Sequence, residues 1–509
     1  MEGRPVANRE VEVRILCGGQ FGTAICWDQT LNNTDSISGV ALRASEMMSQ
    51  ESKLESSGIS ESEMEVCLEV LQQISEDPSV VDTHDRFKSL VAKIHRLGKR
   101  GQRDRKRHAI RSADQAAMAA TGIVQQSNLT QRPKVTTSEN GSVVKELQKA
   151  QSCYVCKNPF TELHHFYHQL CPGCASLNWE KRFQRADLCG RYALVTGGRI
   201  KIGFHVALKL LRDGANVIVT TRFAADAAER FRQEEGFESW QDRLQIHALD
   251  LRNIPAVEDF AKQLVDDLPS LDILIHNAAQ TVKRPLEFYQ HLLDKTFVGN
   301  DGGLIRSDQK PVLLEADESY RGQIRGVEDY FPLRQFDADG QQLDLRPKHS
   351  WMLKLGEIGT IEMLEVMLVN AAAPFTLTGM LKPLMLRSPH QRRFVVNVSA
   401  MEGQFARTNK TPFHPHTNMA KAALNMLTRT SAEEFADDGI YMNSVDTGWI
   451  TDEKPVPIAE RVRKEQGFYP PLDIVDGAAR IFDPVATGCT SNEEPLFGHF
   501  LKDYFPYPW

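Results

Sequence analysis

The spacing of hydrophobic and polar positions changes character three times along the chain. Near the start, Val11, Val13 and Ile15 alternate with Glu12 and Arg14, Gly18-Gly19 interrupt, and an apolar run resumes from Phe21 to Trp27, which predicts a short hairpin. Residues 31–60, rich in Ser, Asn and Glu, predict loop or weak helix. From Glu61 apolar side chains recur at helical spacing (Met64, Cys67, Leu68, Val70, Leu71, Ile74), and a second helix is predicted from His84 with Phe87, Leu90, Val91 and Ile94 facing inward. Together these suggest a small, mostly helical N-terminal domain over 1–112. Residues 113–150 are expected to be a linker, because "QQSNLTQRPKVTTSENGS" within them is polar and aperiodic.

After residue 190 strands alternate with helices. "RYALVTGG" is an apolar strand ending in glycine, "FHVALKLLRDGA" an amphipathic helix and "NVIVTTR" a second buried strand, which makes a βαβ unit. Further strands at 244–248, 271–275, 394–398 and 441–445, with helical patterns between them, predict an α/β fold with a doubly wound parallel sheet over 186–509. The closing stretch, "LDIVDGAARIFDPVATG" and then "PLFGHFLKDYFPYPW", fits a last helix and strand with an aromatic tail that packs or dimerises.

Composition narrows the setting. A chain of 509 residues with 41% hydrophobic content has room for two or three domains. A net charge of -7 argues against wholesale attraction to nucleic acid or membranes. The basic run "KRGQRDRKRH" is the local exception: it fits either a nuclear-import or nucleic-acid contact or a solvated helical face, and the lack of interleaved aromatics weakens the nucleic-acid reading. Charges stand where a signal peptide needs an apolar stretch, and no run of about 18 apolar residues is evident, so a cytoplasmic or nuclear location without membrane contact is expected.

Of the nine cysteines, Cys17, Cys26, Cys67, Cys189 and Cys489 are scattered and are expected to be small buried apolar residues. The other four form two CxxC pairs in "CYVCKNPFTELHHFYHQLCPGC". Each pair brings two thiolates to one ion from a tight turn, and the 14 residues between them suit two knuckles closing on one metal. Four thiolates leave no open position, so Cys153, Cys156, Cys171 and Cys174 predict a structural Zn2+ module over 151–180. His164, His165 and His168 lie between the pairs, as alternative ligands or as hydrogen-bonded residues.

From about 190 to 505 the residues resemble the short-chain dehydrogenase/reductase family, a Rossmann fold. Thr196-Gly197-Gly198-Arg199-Ile200-Lys201-Ile202-Gly203 stands where that family has TGxxxGxG, with Lys201 in place of the middle glycine as in the Arg-containing turn of pteridine reductases. Thr221-Arg222 end the second strand where an acidic residue would favour NAD. The resemblance, with Arg199 or Lys201 nearby, implies NADP(H), Arg222 meeting the 2′-phosphate. It further implies adenine contact by Asp250, with Leu251 beside it, and places Asn277-Ala278-Ala279 as the family's NAG segment beneath the adenine-ribose region. Asn370 matches the asparagine of the proton relay, Lys421 the lysine on the nicotinamide ribose, and Thr451 the threonine on the carboxamide, with Thr447-Gly448 replacing the usual Pro-Gly.

Two catalytic positions depart from the family. Thr417 stands where its tyrosine acid belongs, and an aliphatic hydroxyl is too weak an acid to protonate a carbonyl oxygen; Ala400 stands where its orienting serine belongs, with Ser399 expected to point to the other face. Three explanations follow: a catalytically inactive NADP(H)-binding interaction protein, an imidazole acid at His414 or His416, or a substrate that needs no enzymic proton. His414 lies seven residues before Lys421, the spacing that enoyl reductases of the same superfamily use for their tyrosine. The long 283–360 insertion, with Tyr289, Tyr320, Tyr330, Phe331 and Trp351, is expected to roof the substrate site or present a partner surface.

The favoured reading is an oxidoreductase for a small carbonyl, alcohol or enoyl substrate with a non-standard proton donor. The alternative is a scaffold in which residues 85–175 bind a protein or nucleic-acid partner. A homodimer or homotetramer is implied by the family.

Overall fold

The computed structural model describes residues 13–17, 20–24, 58–127, 145–293, 304–307, 327–407, 410–451 and 453–509. The chain divides into two units, Met1–Arg105 and Lys106–Trp509. In the first, β1 (Val13–Cys17) and β2 (Gln20–Ala24) pair antiparallel, as the alternating pattern suggests. Helix α1 (Glu61–Glu76) starts at Ser60, whose hydroxyl and backbone N–H form a reciprocal capping box with Glu63. Helix α2 (Asp85–Ala119) carries the basic run as an uninterrupted, solvent-facing helical surface. The inward face expected for these helices is not formed among the described residues: neither holds a buried side chain, and Leu68, Leu90 and Ile94 are exposed, Ile94 by 68%. Local propensity and capping suffice to write a helix; they do not supply a partner for its apolar stripe.

Part of the stretch expected as linker takes regular structure. It includes the end of α2, helix α3 (Gly122–Ser127) and most of β3 (Lys145–Ser152); 128–144 lies outside the described residues. Strand β3 pairs antiparallel with β4 (Pro159–Leu163), and α4 (Pro172–Arg182) follows with Cys171 as its N-cap.

A nine-stranded sheet then forms in the order β13-β12-β11-β10-β8-β5-β6-β7-β9. Its members are β5 (Tyr192–Thr196), β6 (Asn216–Thr221), β7 (Leu244–Ala248), β8 (Ile273–His276), β9 (Ile305–Ser307), β10 (Arg393–Ser399), β11 (Ile440–Asp446), β12 (Phe500–Lys502) and β13 (Phe505–Tyr507). All pairings are parallel except β12 with β13. The order reverses between β5 and β8, so the carboxyl ends of these two strands open the crevice where such sheets take ligands.

Alternate strand residues feed two cores. Ala193, Val195, Val217 and Val219 pack with α5 (Lys201–Arg212), α6 (Ala224–Arg232) and a late helix, Ile474–Thr490; Leu194, Ile218 and Leu274 pack with α7 (Ile254–Asp267) and with the helices Ala373–Leu386 and Pro415–Asp437. The inserted segment contributes α8 (Leu286–Leu293) and the edge strand β9, and parts of it, including Tyr320, lie outside the described residues. Next comes the helical run Thr360–Leu386, made of α9 (Thr360–Met367), a π turn (Leu368–Ala372) and α10 (Ala373–Leu386). By length and composition this run could cross a membrane, with mean hydropathy 1.4, where no such run was expected. Its Leu377, Leu381 and Leu384 are fully buried in the second core, where a two-sided apolar helix is what packing requires. The last helices are α11 (Pro415–Asp437), α12 (Val456–Gln466) and α13 (Ile474–Thr490).

Three scattered cysteines can be placed. Cys67 and Cys189 are exposed and Cys489 is half-buried, against the expectation of buried apolar residues; the side chains of Cys17 and Cys26 lie outside the described residues. Cys67 sits on a helix with no buried face and Cys189 in the turn entering β5, so neither has a core to enter.

Candidate functional site: the crevice at the carboxyl ends of β5, β8, β10 and β11

The turn after β5 is knitted by its own polar groups. Asn277 Nδ2 donates to the carbonyls of Thr196 (3.0 Å) and Gly197 (3.2 Å), and Ala278 N–H donates to Thr196 Oγ1 at 3.1 Å. Gly197 has φ 70°, and a Cβ there would come 2.9 Å from Ala278 Cα; one on Gly203 would come 2.3 Å from Asn277 Nδ2. Both positions therefore require glycine. Lys201 opens α5 at φ 54°, in the left-handed region that a glycine at this position would occupy without cost. Its Nζ stands 3.9 Å from Asp339 Oδ2 of the insertion. Ile202 lies half-buried against the first core, and Ala279 is exposed on the loop leaving β8.

Arg199 is engaged by a neighbouring helix. It is buried, and its guanidinium donates to Asp226 Oδ2 at 2.6 Å, a carboxylate that also accepts from Arg230 Nε at 2.7 Å. Two guanidinium groups share that one carboxylate, so the network keeps positive charge beside the turn, with Lys201 and Arg222 as further cations.

At the end of β6, Thr221 is buried and its Oγ1 accepts the N–H of Phe223 at 3.1 Å. Arg222 Nη2 donates to Tyr289 Oη at 3.1 Å, and the Tyr289 ring stacks on Phe223. Burial pushes the Tyr289 phenol up, but Arg222, Arg284 and Arg252 outweigh it and hold the group below the usual tyrosine range. Asp250 is clamped by Arg252 (2.6 Å), which also reaches Glu365 at 3.5 Å, while Leu251 is buried beneath in the second core. Asn370 lies in the π turn and holds Gln280 with both ends of its amide: Oδ1 accepts from Gln280 N (2.8 Å) and Nδ2 donates to Gln280 O (3.0 Å).

Across the crevice, Lys421 on α11 is buried and donates to the carbonyl of Val398 at 2.7 Å. Burial lowers its ammonium to about 8, and the negative Glu402 opposes that shift. Thr417, one turn earlier, is buried with its hydroxyl unpartnered. The Ser399 hydroxyl donates to Asn425 Oδ1 of α11 at 2.5 Å. His414 precedes α11 at φ 40°, its ring stacked on Trp351 of the insertion with centroids 4.0 Å apart and planes at 6°, and its Nδ1 has no hydrogen-bond partner. His416 is buried with neither ring nitrogen hydrogen-bonded, the nearest carboxylate being Glu362 Oε1 at 4.0 Å. Burial lowers both imidazoles; Glu402 opposes the shift at His414 and Glu362 at His416.

Two acidic groups here escaped the sequence reading. Glu402 lies in the short turn Met401–Gly403, and Gly403 packs so closely on α11 that a Cβ would come 2.7 Å from the Lys421 carbonyl carbon. Asp446, at the end of β11, is raised to about 6 by burial and by the nearby negative charges of Asp503 and Glu402, and it accepts the N–H of Met401 at 3.3 Å. The signal available in sequence was their position just past the ends of two central strands. Beyond β11, Gly448 has φ 80°, and Thr451 Oγ1 donates to Glu453 Oε1 at 2.6 Å. Glu453 is held low by Lys201, Thr451, Arg284 and His349, in that order, against the cost of its burial.

Away from the crevice, the Sγ atoms of Cys153, Cys156, Cys171 and Cys174 all lie within 4.8 Å of one another. Cys171 N–H points at Cys153 Sγ (3.3 Å), and Lys157 just after the first pair takes φ 65°. His164, His165 and His168 stand outside this group: the first two meet the Trp179 ring, His164 tilted and His165 edge-on, and the buried His168 meets the side-chain amide of Gln169.

These features define a dinucleotide-fold α/β protein with a polar crevice at its topological switch point. Two family models match it, short chain dehydrogenase over residues 191–306 and Enoyl-(Acyl carrier protein) reductase over 352–468. An uncharacterized protein of Acanthamoeba polyphaga mimivirus is 32% identical over 351 residues, covering 65% of this chain and 71% of that protein. Dehydrogenase/reductase SDR family member 13 of Bos taurus is 38% identical over 118 residues, so that match spans 22% of this chain and only 30% of the relative. Among solved structures, NADPH-bound carbonyl reductase from chicken fatty liver aligns with 64% of this chain and 100% of its own at 16% identity and a TM-score of 0.41. Over residues 191–306 and 352–468 the chain is thus similar to the short-chain dehydrogenase/reductase family, on a Rossmann-like, mostly parallel sheet.

Proposed function

We propose that the protein is an NADP(H)-dependent oxidoreductase for a small carbonyl, alcohol or enoyl substrate, with His414 as proton donor. The observation that carries this reading is the buried ammonium of Lys421 on the helix that His414 begins, beside the unpartnered Thr417 hydroxyl and the unpartnered Nδ1 of His414. Buried polar atoms without partners are rare in folded chains and point to groups that meet a ligand. The donor set fits the cofactor. The glycine turn and the amide ends of α5 suit a diphosphate, Arg222 and Lys201 are cations at its flank, and Lys421 stands at the nicotinamide end with a single partner. NADPH supplies a hydride when bound.

The chain's own residues then do the following. Lys421, with its ammonium lowered to about 8, keeps a positive charge at neutral pH for a ribose hydroxyl and for any oxyanion forming nearby. Asn370 fixes the backbone of Gln280 beneath the crevice. His414 gives its proton to the substrate oxygen, or to the carbanionic carbon of an enoyl group, and its stacking on Trp351 sets the ring plane. Thr417 and Ala400, which replace the family tyrosine and serine, leave the volume in which that exchange takes place.

Because the folded-state pKa of His414 lies below the usual imidazole value, its charged form is scarce at neutral pH. Reductive turnover should therefore rise as pH falls through and below about 6.5. His414→Ala should remove turnover of a carbonyl and enoyl panel at least ~100-fold while sparing NADPH affinity in calorimetry. Unchanged turnover in this variant would shift the assignment to His416. NADPH binding without oxidation of any panel member by the parent protein would favour the inactive scaffold instead, a reading supported by the apolar faces of α1 and α2, which are exposed among the described residues.

The four cysteines we assign to a structural Zn2+. Thiolates in a closed set at this spacing suit zinc and leave no position for substrate.

A further inference from the structure

The second residue of the first CxxC pair touches the crevice rather than the metal set. Tyr154 Oη accepts the backbone N–H of Trp449 at 2.9 Å. A Cβ on the adjacent Gly448 would lie 3.5 Å from the same oxygen and 2.5 Å from Leu472 Cδ1, so the 447–449 backbone is pressed between the knuckle and Leu472. Leu472 shares a core with Cys153, Leu163, Tyr167 and Leu170 of the four-cysteine segment, and Ile450 and Tyr469 pack on that core. Gln169 Nε2 donates to the Tyr469 carbonyl at 3.0 Å. The segment that leaves β11 is thus gripped near 448–450 and again at 469–472 by the same cysteine-bearing unit. Between these grips Trp449 Nε1 donates to Thr451 O at 3.0 Å, and Thr451 bonds Glu453. Ile450 and Ile202 meet over Gly477, so the same loop reaches the first turn of α5.

Within the cysteine unit the two knuckles are tied by Tyr154 itself, whose N–H donates to Gln169 O at 2.8 Å, and by Cys171 N–H on Cys153 Sγ. A metal that fixes the two turns therefore fixes the Tyr154 ring, and the ring holds the loop.

We propose that Tyr154 is a positioning residue for the 447–453 loop, through which the four-cysteine metal site sets the affinity of the crevice for the nicotinamide half of the cofactor. This rests on the NADP(H) and zinc readings given above. The strut is supplied by a segment that precedes the sheet. Loss of the metal releases the knuckle and loosens the loop while the sheet stays folded.

The test compares the full chain with Tyr154→Phe, which deletes only the hydroxyl, and with Cys171→Ser. Three quantities are read: bound zinc, affinity for NADPH and for 2′,5′-ADP (which lacks the nicotinamide half), and hydrogen exchange of peptides across 446–472. Tyr154→Phe should keep its zinc, weaken NADPH about fivefold, leave 2′,5′-ADP within about twofold and speed exchange in 447–453. Cys171→Ser should lose zinc and show the same loop change more strongly, with peptides from β10 and β11 still protected. Equal loss of the two ligands in Tyr154→Phe, or unchanged exchange in 447–453, would overturn the proposal while leaving the cofactor reading intact. Failure of the parent chain to bind either ligand would overturn both.

Discussion

Arg222 meets a phenol where a purely structural arginine would more often meet a carboxylate. Its guanidinium and those of Arg252 and Arg284 surround Tyr289, so positive charge is concentrated at the end of β6. A 2′-phosphate brought there would gain charge-assisted hydrogen bonds that a bare ribose does not offer. Arg222→Ala is therefore expected to weaken NADPH at least ~10-fold more than NADH in parallel titrations; equal losses would remove Arg222 from the phosphate site. Asp446 gives a second prediction at this scale. Its folded-state value of about 6 lies above the ordinary 3.8, so protonation favours the folded state: its contribution is greatest below about pH 4 and is lost as pH rises through about 6. The penalty above pH 6 is at most about 3 kcal/mol. Asp446→Asn keeps an acceptor for Met401 N–H and should raise the urea midpoint at pH 8 while flattening the slope between pH 4 and 6. Residues of this kind were illegible in the sequence because burial and neighbouring charge, which set their properties, are assembled from β10, β11 and β12 together.

At the scale of elements, the glycine turn, the central strands of the sheet and the CxxC pairs could be read from the chain, since each rests on local periodicity or on residues that only one backbone shape accepts, whereas the short edge strands β9 and β13 could not. Cys153-x-x-Cys156 and Cys171-x-x-Cys174 converge to one cluster across two antiparallel strands and the start of α4. Metal analysis should give one zinc per chain, and Cys171→Ser should lose it; a zinc content unchanged by that substitution would reject the assignment. The apolar stripes of α1 and α2 were legible as helix but not as packing. The π turn holding Asn370 was not legible either, because a one-residue widening of a helix leaves no mark in the hydrophobic spacing.

Across the larger unit, Lys106–Trp509, the cysteine segment and the sheet are fastened by buried charge. Arg182 on α4 bonds Asp473 (2.7 Å) and Asp476 (2.9 Å), Tyr167 bonds Asp476 at 2.5 Å, and Arg480 bonds Asn178 (2.8 Å) and Asp503 (3.0 Å). Removing one member of such a network leaves uncompensated charge in a low-dielectric site, so Arg182→Met should cost roughly 3 kcal/mol or more in denaturant unfolding. A loss under 1 kcal/mol would show that the segment is only loosely attached. The insertion acts at the same scale: its Asp339 approaches Lys201, its Trp351 stacks on His414, and its Tyr289 covers Arg222.

The sequence by itself determined what short-range physics can specify. The alternation of apolar strands with amphipathic helices dictates a doubly wound sheet, Gly197 and Gly203 dictate a tight turn at its switch point, and paired CxxC spacing dictates a thiolate cluster. Tertiary structure alone decided which polar groups are spent and which remain. Arg199 is bonded to Asp226 and Lys421 to the Val398 carbonyl, while the Thr417 hydroxyl and His414 Nδ1 are buried without hydrogen-bond partners. Glu402 and Asp446 join them from neighbouring strand ends, and Tyr154 reaches the crevice from a segment nearly 300 residues away from Trp449, a separation of 295. Spacing along a chain fixes the period of an element, whereas burial and charge at a site depend on which elements fold against it.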